Sequence, residues 1–404
     1  MNFEQLKPLI KHDETTKIVL IVLDGVGGLP YNDDQPVSAL EAADTPNLDQ
    51  LATKSICGLQ LPVGPGITPG SGPGHLGLFG YDPLKYQVGR GVLSALGIDF
   101  DLRPGDVAAR GNFCTVDSDG IVTDRRAGRI PTERNEVLCD KLRQQVALGG
   151  AELFIQPVKE YRFLLVLRGS GLNANINDTD PLETGEAPLK AQSHDAATKK
   201  TARMVNVFVE QVGNTLKDED PANMVLLRGF SQLPDWPPMQ EAFGLRGAAI
   251  AMYPMYRGVA KLIGMDALPF SKSLDEEVDK LEAHWDDYDF FFIHVKKIDS
   301  AGEDGDLAEK VSRIEEADAI VPRILGLEPD VMVVTGDHST PARMRYHSWH
   351  PVPVMLSASN CRPDGVTAFN ERACLSGGLG PRIPSADLMP LMLAHADRLD
   401  KYGA

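Results

Sequence analysis

The chain has 404 residues, 43% hydrophobic and 24% charged, which favours two domains with real cores over one. A formal net charge of −17 argues against nucleic acid and anionic membrane as partners, and no apolar run reaches the roughly 18 residues of a membrane span. The N-terminus shows no secretory signal, and the cysteines (Cys57, Cys114, Cys139, Cys361, Cys374) lack a CxxC, so reduced thiols in the cytoplasm are expected.

Residues 17–23, Lys-Ile-Val-Leu-Ile-Val-Leu, form a continuous β-branched run, the mark of a strand buried on both faces of a parallel sheet. It delivers Asp24, then Gly25-Val-Gly-Gly28, at its carboxyl end, where open α/β sheets bind ligands. Asp24 is either a functional carboxylate or a turn cap, and the glycines lack GxGxxG spacing. Thr45-Pro46 reads as the N-cap and first residue of a helix. In Gly66-Ile-Thr-Pro-Gly-Ser71-Gly-Pro-Gly-His75, glycines and prolines set a tight turn ahead of an apolar helix. A serine there lies at a helix N-terminus that favours anions, although a plain N-cap serine makes the same pattern. The stretch is neither a Walker loop nor a Gly-x-Ser-x-Gly elbow. Another helix follows Gly89-Arg-Gly91 and runs to Leu96.

Beyond residue 100 the texture changes. Arg103, Arg110, Arg125, Arg126, Arg129 and Arg134 concentrate guanidinium in an acidic chain, most densely in Asp124-Arg-Arg-Ala-Gly-Arg129. Arginine suits bidentate recognition of carboxylate and phosphate; a solvated surface loop is the alternative. Two strand-like runs over 153–167, a polar loop over 173–186, a helix over 196–212 and a strand over 224–227 form a small α/β unit. The first texture then returns, with a strand over 247–252 and a helix over 258–263. A buried strand over 289–295 is followed by Asp299 and Glu303. A helix over 306–325 leads to a third buried strand, 330–334, which delivers Asp337 and His338, and a helix over 387–396 closes the chain.

Three buried strands thus end in ionisable residues, and Tyr346-His347-Ser-Trp-His350 follows the last. Carboxylates and imidazoles without thiolates suit Zn²⁺, Mn²⁺ or Mg²⁺. So many ligands suggest two divalent ions, which would clamp a displacement at phosphorus and activate the Ser71 hydroxyl. They would also offset the acidity that otherwise repels an anionic substrate. The residues alone point to a two-metal phospho- or sulfo-ester enzyme.

Val22-Leu-Asp24-Gly25, Thr45-Pro-Asn-Leu48, Pro69-Gly-Ser71, Gly80-Tyr-Asp-Pro83, Arg110-Gly-Asn-Phe113, Asp124-Arg-Arg-Ala-Gly-Arg129, Thr335-Gly-Asp-His-Ser-Thr-Pro341 and Gly377-Gly-Leu-Gly380 resemble the archaeal-type cofactor-independent phosphoglycerate mutases of the alkaline phosphatase superfamily. The resemblance runs over essentially the whole chain. It implies an α/β fold in which an alkaline phosphatase-like doubly wound sheet (1–98 and 246–404) is interrupted by a smaller inserted substrate domain (99–245). It also implies that Ser71 is transiently phosphorylated, with Asp124 and Arg125 catalytic and Arg110, Arg126, Arg129, Arg162, Asp178 and Arg257 on the substrate. One metal would take Asp24, Ser71, Asp337 and His338, and the other Asp299, Glu303 and His347. The ions would be Mn²⁺, with Zn²⁺, Mg²⁺ or Co²⁺ as alternatives. The implied reaction interconverts 3-phosphoglycerate and 2-phosphoglycerate, a small phosphorylated substrate. A mutase or phosphatase for another phosphorylated acid or sugar, and a non-catalytic phospho-ligand binder, are the competing readings. The chain departs from the family pattern at Glu303 and Tyr161, where histidine is usual, at Gly72-Pro73, and at His350, where aspartate is usual.

Overall fold

The computed structural model describes residues 3–12, 15–34 and 36–403. The chain divides into two compact units, 1–87 with 237–404 and 88–236. These borders come earlier in the chain than the expected 98/99 and 245/246. The helix Arg90–Gly97 packs within the second unit, against the strands Val107–Val116 and Met224–Ser231. Gly91 permits that contact, since a Cβ there would collide with the carbonyl of Ala108.

The first unit is built on an eight-stranded sheet. Its order is Gly380–Pro384, Ile56–Leu61, Val352–Ala358, Val331–Thr335, Ile18–Leu23, Phe290–Val295, Gly247–Ala251 and Asp266–Ala267. Val352–Ala358 runs antiparallel to both neighbours, and every other pair is parallel. Ile18–Leu23 is buried at every position, as its unbroken apolar run requires. One face of the sheet packs a core that includes Ile21, Phe291, Ile293, Met332 and Ile314. Ile314 comes from the helix Leu307–Leu325, whose N-cap Asp306 accepts from the amide of Glu309. The helix expected over 258–263 starts earlier, at Pro254, because proline is pre-set for a first helical turn.

The small α/β unit expected in the middle of the chain is an antiparallel sheet with helices on it. Val107–Val116 pairs with Arg162–Arg168 and with Met224–Ser231, and its last residues pair with Val122–Asp124. Glu152–Lys159 lies outside Arg162–Arg168. The helices Thr132–Gln145 and Lys199–Leu216 place Leu138, Leu142, Phe208 and Val212 against Phe113 and Phe163. All five cysteines are free thiols, and no described helix is long and apolar enough to cross a membrane.

Candidate active site

Parallel register decides where the polar residues of the first unit emerge. Leu23 stands opposite Val295, and Val22 opposite Thr335. Asp24, Lys296 and Gly336-Asp337 therefore leave the sheet at the same edge, the carboxyl end where α/β folds build sites. Asp299 follows on the helix Lys297–Asp304. Gly25 holds φ +61°, and a Cβ there would press on Thr340 Oγ1 and Asp299 Oδ1, so no larger residue fits the turn. Buried Lys310 ties the loops together, donating to the carbonyls of Gly25, Gly27 and Thr340 at 2.8, 3.3 and 2.8 Å.

The cap of the helix Ser71–Leu78 is Gly70, not the serine. Ser71 is the first helical residue, its hydroxyl serves no cap, and its Oγ lies 3.4 Å from Nε2 of His338. Ser71 is therefore not the N-cap residue of this helix.

Hydrogen bonds fix which nitrogen of each key imidazole carries the proton. The Thr340 hydroxyl donates to Asp299 Oδ1 at 2.8 Å. Its single proton is then used, so it accepts at 3.0 Å from Nδ1–H of His338. Nε2 of His338 is left with a lone pair, 3.5 Å from Asp24 Oδ1 and 3.2 Å from Asp337 Oδ2. His347 repeats the arrangement: Nδ1 donates to the carbonyl of Pro69 at 3.0 Å, and Nε2 lies 3.6 Å from Asp299 Oδ1. Burial and the neighbouring His347 push His338 down to about 3, so it is neutral at physiological pH.

The two carboxylates beside His338 are shifted in opposite directions. Burial alone would raise Asp24, but the Lys296 ammonium, His338 and the Tyr256 hydroxyl (2.6 Å from Oδ2) outweigh it and bring it to about 2. Burial, with the negative charges of Asp24 and Asp299, pushes Asp337 well above the carboxylate range. Asp24 Oδ1 and Asp337 Oδ2 are buried and accept no hydrogen bond among the described residues. Behind Asp24, His294 stacks on Tyr256 at 3.6 Å, and burial keeps His294 and His75 neutral.

Ligand-type atoms of Asp24, Asp337 and His338 lie within 4.8 Å of one another, as do those of Asp299, His338 and His347. Lone pairs facing lone pairs in a buried site, with two orphaned carboxylate oxygens, fit divalent cations held by oxygen and nitrogen.

In the second unit the arginines are organised by Asp180, whose side chain is fully buried. Arg125 grips it through Nε and Nη2 at 3.0 and 2.8 Å, and Nε of Arg228 lies 3.4 Å away. Arg110 stands opposite Arg228 in the sheet. Burial, together with the charges of Arg228 and Arg162, holds Arg90 below the usual arginine range, with Asp178 and Asp180 working against them. Asp178 accepts from the amide of Gly229 at 2.7 Å. Arg162 donates to the hydroxyl of Tyr161 at 2.8 Å and packs over its ring.

A family model for 2,3-bisphosphoglycerate-independent phosphoglycerate mutase matches residues 52–223. A protein of Thermus thermophilus named as a probable mutase of that kind is 52% identical over 406 residues, covering 100% of this chain and 99% of its own. The chain belongs to the 2,3-bisphosphoglycerate-independent phosphoglycerate mutase family. A further family relative, from Aquifex aeolicus, is 49% identical and aligns with 96% of this chain and 97% of its own. Among solved structures, the cofactor-independent phosphoglycerate mutase of Thermoplasma acidophilum superposes with a TM-score of 0.69 at 31% identity, covering 94% of this chain and 100% of its own. A protein of Pyrococcus horikoshii gives 0.82 at 30% identity, covering 97% and 100%.

Within the first unit of this member of the phosphoglycerate mutase family, Asp24, Ser71, Asp299, Asp337, His338 and His347 lie close together, and other expected residues stand differently. Glu303 shares the Asp299 helix, but its side chain is 50% exposed and its Oε1 lies 4.0 Å from His347 Nε2, at the margin of the cluster. The imidazole of His350, the other unexpected histidine, pairs with Ser348 Oγ and stacks on Trp349. Asp124, expected to be catalytic, spends both oxygens on the amides of Arg126 and Gly128, at 2.8 and 2.6 Å, and so shapes the turn. Arg126 and Arg129 are exposed. Arg257, expected on the substrate, is 4% exposed, donates to the carbonyl of Leu268 and packs on Phe270, a poor position from which to meet a soluble ligand. Sequence reasoning missed Lys296, Tyr256, Asp180, Arg90 and Arg228 in this mutase. Only Lys296, just beyond a strand end, carried a positional signal.

Proposed function

We propose that the chain interconverts 3-phosphoglycerate and 2-phosphoglycerate by intramolecular phosphoryl transfer through Ser71. The observation that carries this reading is the convergence of the Ser71 hydroxyl with the His338 Nε2 lone pair and the unpartnered oxygens of Asp24 and Asp337. Asp24, Asp337, His338 and Ser71 would hold one divalent ion, and Asp299, His347 and Glu303 a second. Bound there, such ions lower the pKa of a serine hydroxyl and neutralise phosphate charge.

In the first half-reaction Ser71 Oγ forms a bond to phosphorus as the bond to the 3-oxygen of the substrate breaks. Ser71 gives up its proton, and the departing glycerate oxygen takes one up. The arginines of the second unit, Arg125, Arg228, Arg110 and Arg162, would be the groups that recognise an anionic group of the substrate such as its carboxylate. After the glycerate turns, its 2-hydroxyl attacks the phosphoserine and the protons return in reverse. The helix dipole behind Ser71 favours the negative charge at that end. Tyr256 donates to Asp24 Oδ2 at 2.6 Å, which leaves Oδ1 toward His338.

A coupled assay in the presence of Mn²⁺ tests the proposal. Conversion of 3-phosphoglycerate to 2-phosphoglycerate without added 2,3-bisphosphoglycerate is the expected result. Hydrolysis of a phosphomonoester panel with no 2-phosphoglycerate formed would overturn it.

A further inference from the structure

Lys296 lies between the two ligand groups. Its Nζ is 2.9 Å from Oδ2 of Asp24 and 2.9 Å from Oδ2 of Asp299, one carboxylate from each group. Each aspartate therefore divides its oxygens in the same way. Oδ2 faces the ammonium, while Oδ1 faces an imidazole, His338 for Asp24 at 3.5 Å and His347 for Asp299 at 3.6 Å. The Lys296 side chain is 22% exposed, and its Nζ lies 5.9 Å from the centroid of the Tyr256 ring, which also holds Asp24.

An ammonium has three donors and no lone pair, so Lys296 cannot itself ligate a metal. Without it, Asp24 and Asp299 would be two buried like charges with nothing between them, an arrangement that drives ligands apart or protonates them. With it, both carboxylates stay ionised and their Oδ1 atoms stay aimed at the imidazole side. The same positive charge opposes any divalent cation that enters beside it. We propose that Lys296 is a resident cation that preforms the ligand groups of the metal-free enzyme and, in exchange, weakens divalent-metal binding. It is a positioning residue, acting through Asp24 and Asp299.

The inference rests on the metal-binding reading above, and its test separates the two. Wild-type protein, Lys296→Met and Lys296→Arg are each titrated with Mn²⁺ by calorimetry and melted in chelator and in saturating Mn²⁺. Lys296→Met should lose several degrees of Tm in chelator, recover most of that deficit in Mn²⁺, and bind at least one Mn²⁺ about tenfold more tightly than wild type. Lys296→Arg keeps the charge and should stay near wild type in both measurements. If Lys296→Met cannot be prepared free of metal, Lys296→Gln gives the same comparison. An equal Tm deficit in chelator and in Mn²⁺ with an unchanged isotherm would make Lys296 plain packing and overturn the inference. Weaker Mn²⁺ binding in Lys296→Met would overturn it as well. No Mn²⁺ binding by the wild type would instead remove the metal-site reading beneath it.

Discussion

The hydroxyl of Ser71 lies 3.4 Å from Nε2 of His338, and that nitrogen carries a lone pair because the ring's one N–H is at Nδ1, where it donates to the Thr340 hydroxyl. A serine at the first helical position thus faces an acceptor rather than its own helix. The same nitrogen faces two buried carboxylates, and the group as a whole is short of positive charge. From that imbalance the first prediction follows.

Ser71→Ala should reduce mutase turnover by at least about a thousandfold, the scale on which loss of a nucleophile acts. The melting temperature should barely move, because the hydroxyl caps nothing. Residual activity above about one per cent of wild type in the coupled assay would assign the phosphoryl acceptor elsewhere.

Asp180 is the hub of the arginine cluster, fully buried and gripped bidentately by Arg125. Asp180→Asn leaves Arg125 and Arg228 without their counter-charge. Stability should fall by about 1–3 kcal/mol in denaturant titrations, and KM for the phosphorylated substrate should rise more than kcat falls. An unchanged KM would separate these arginines from substrate binding.

Glu303 sits four residues after Asp299 on one helix, so both side chains share a face. Its Oε1 lies 4.0 Å from His347 Nε2. Glu303→Gln should weaken Mn²⁺ binding by about tenfold, and Glu303→His, which supplies the residue the family resemblance implies, should hold or improve both binding and turnover. An isotherm for Glu303→Gln that overlays wild type would leave Glu303 in solvent.

Glu277 is wholly buried on the helix Leu274–Ala283, and neither carboxyl oxygen has a hydrogen-bond partner among the described residues. Burial pushes it up from 4.5 to about 9. A group whose folded pKa is raised stabilises fully below its unfolded value and loses that contribution as pH rises through the folded one. The advantage of the isosteric, neutral Glu277→Met should therefore grow between pH 4.5 and about 9, by up to about 1.4 kcal/mol per pH unit. Melting curves at pH 5 and pH 8.5 that differ from wild type by the same amount would show that Glu277 is ionised in the fold.

The central strands and the carboxylates at their ends were legible from the residues alone. A parallel strand buried on both faces must be a continuous apolar run, and 17–23, 289–295 and 330–334 announce themselves in that way. Resemblance of motifs along the chain carried the family. The flanking strands Ile56–Leu61 and Val352–Ala358 were not legible, since they pair with each other across almost 300 positions of sequence and no local spacing records that pairing. The same holds at the sites. Sequence could nominate Asp24, Asp299, Asp337 and His338, because strand ends are found from local pattern. It could not show that Lys296 would lie between two of the carboxylates, that Thr340 would fix the proton on His338, or that a buried Asp180 would gather the arginines. Those relations are set by register and by burial, which decide which charges must share low-dielectric space and so which partners each of them needs.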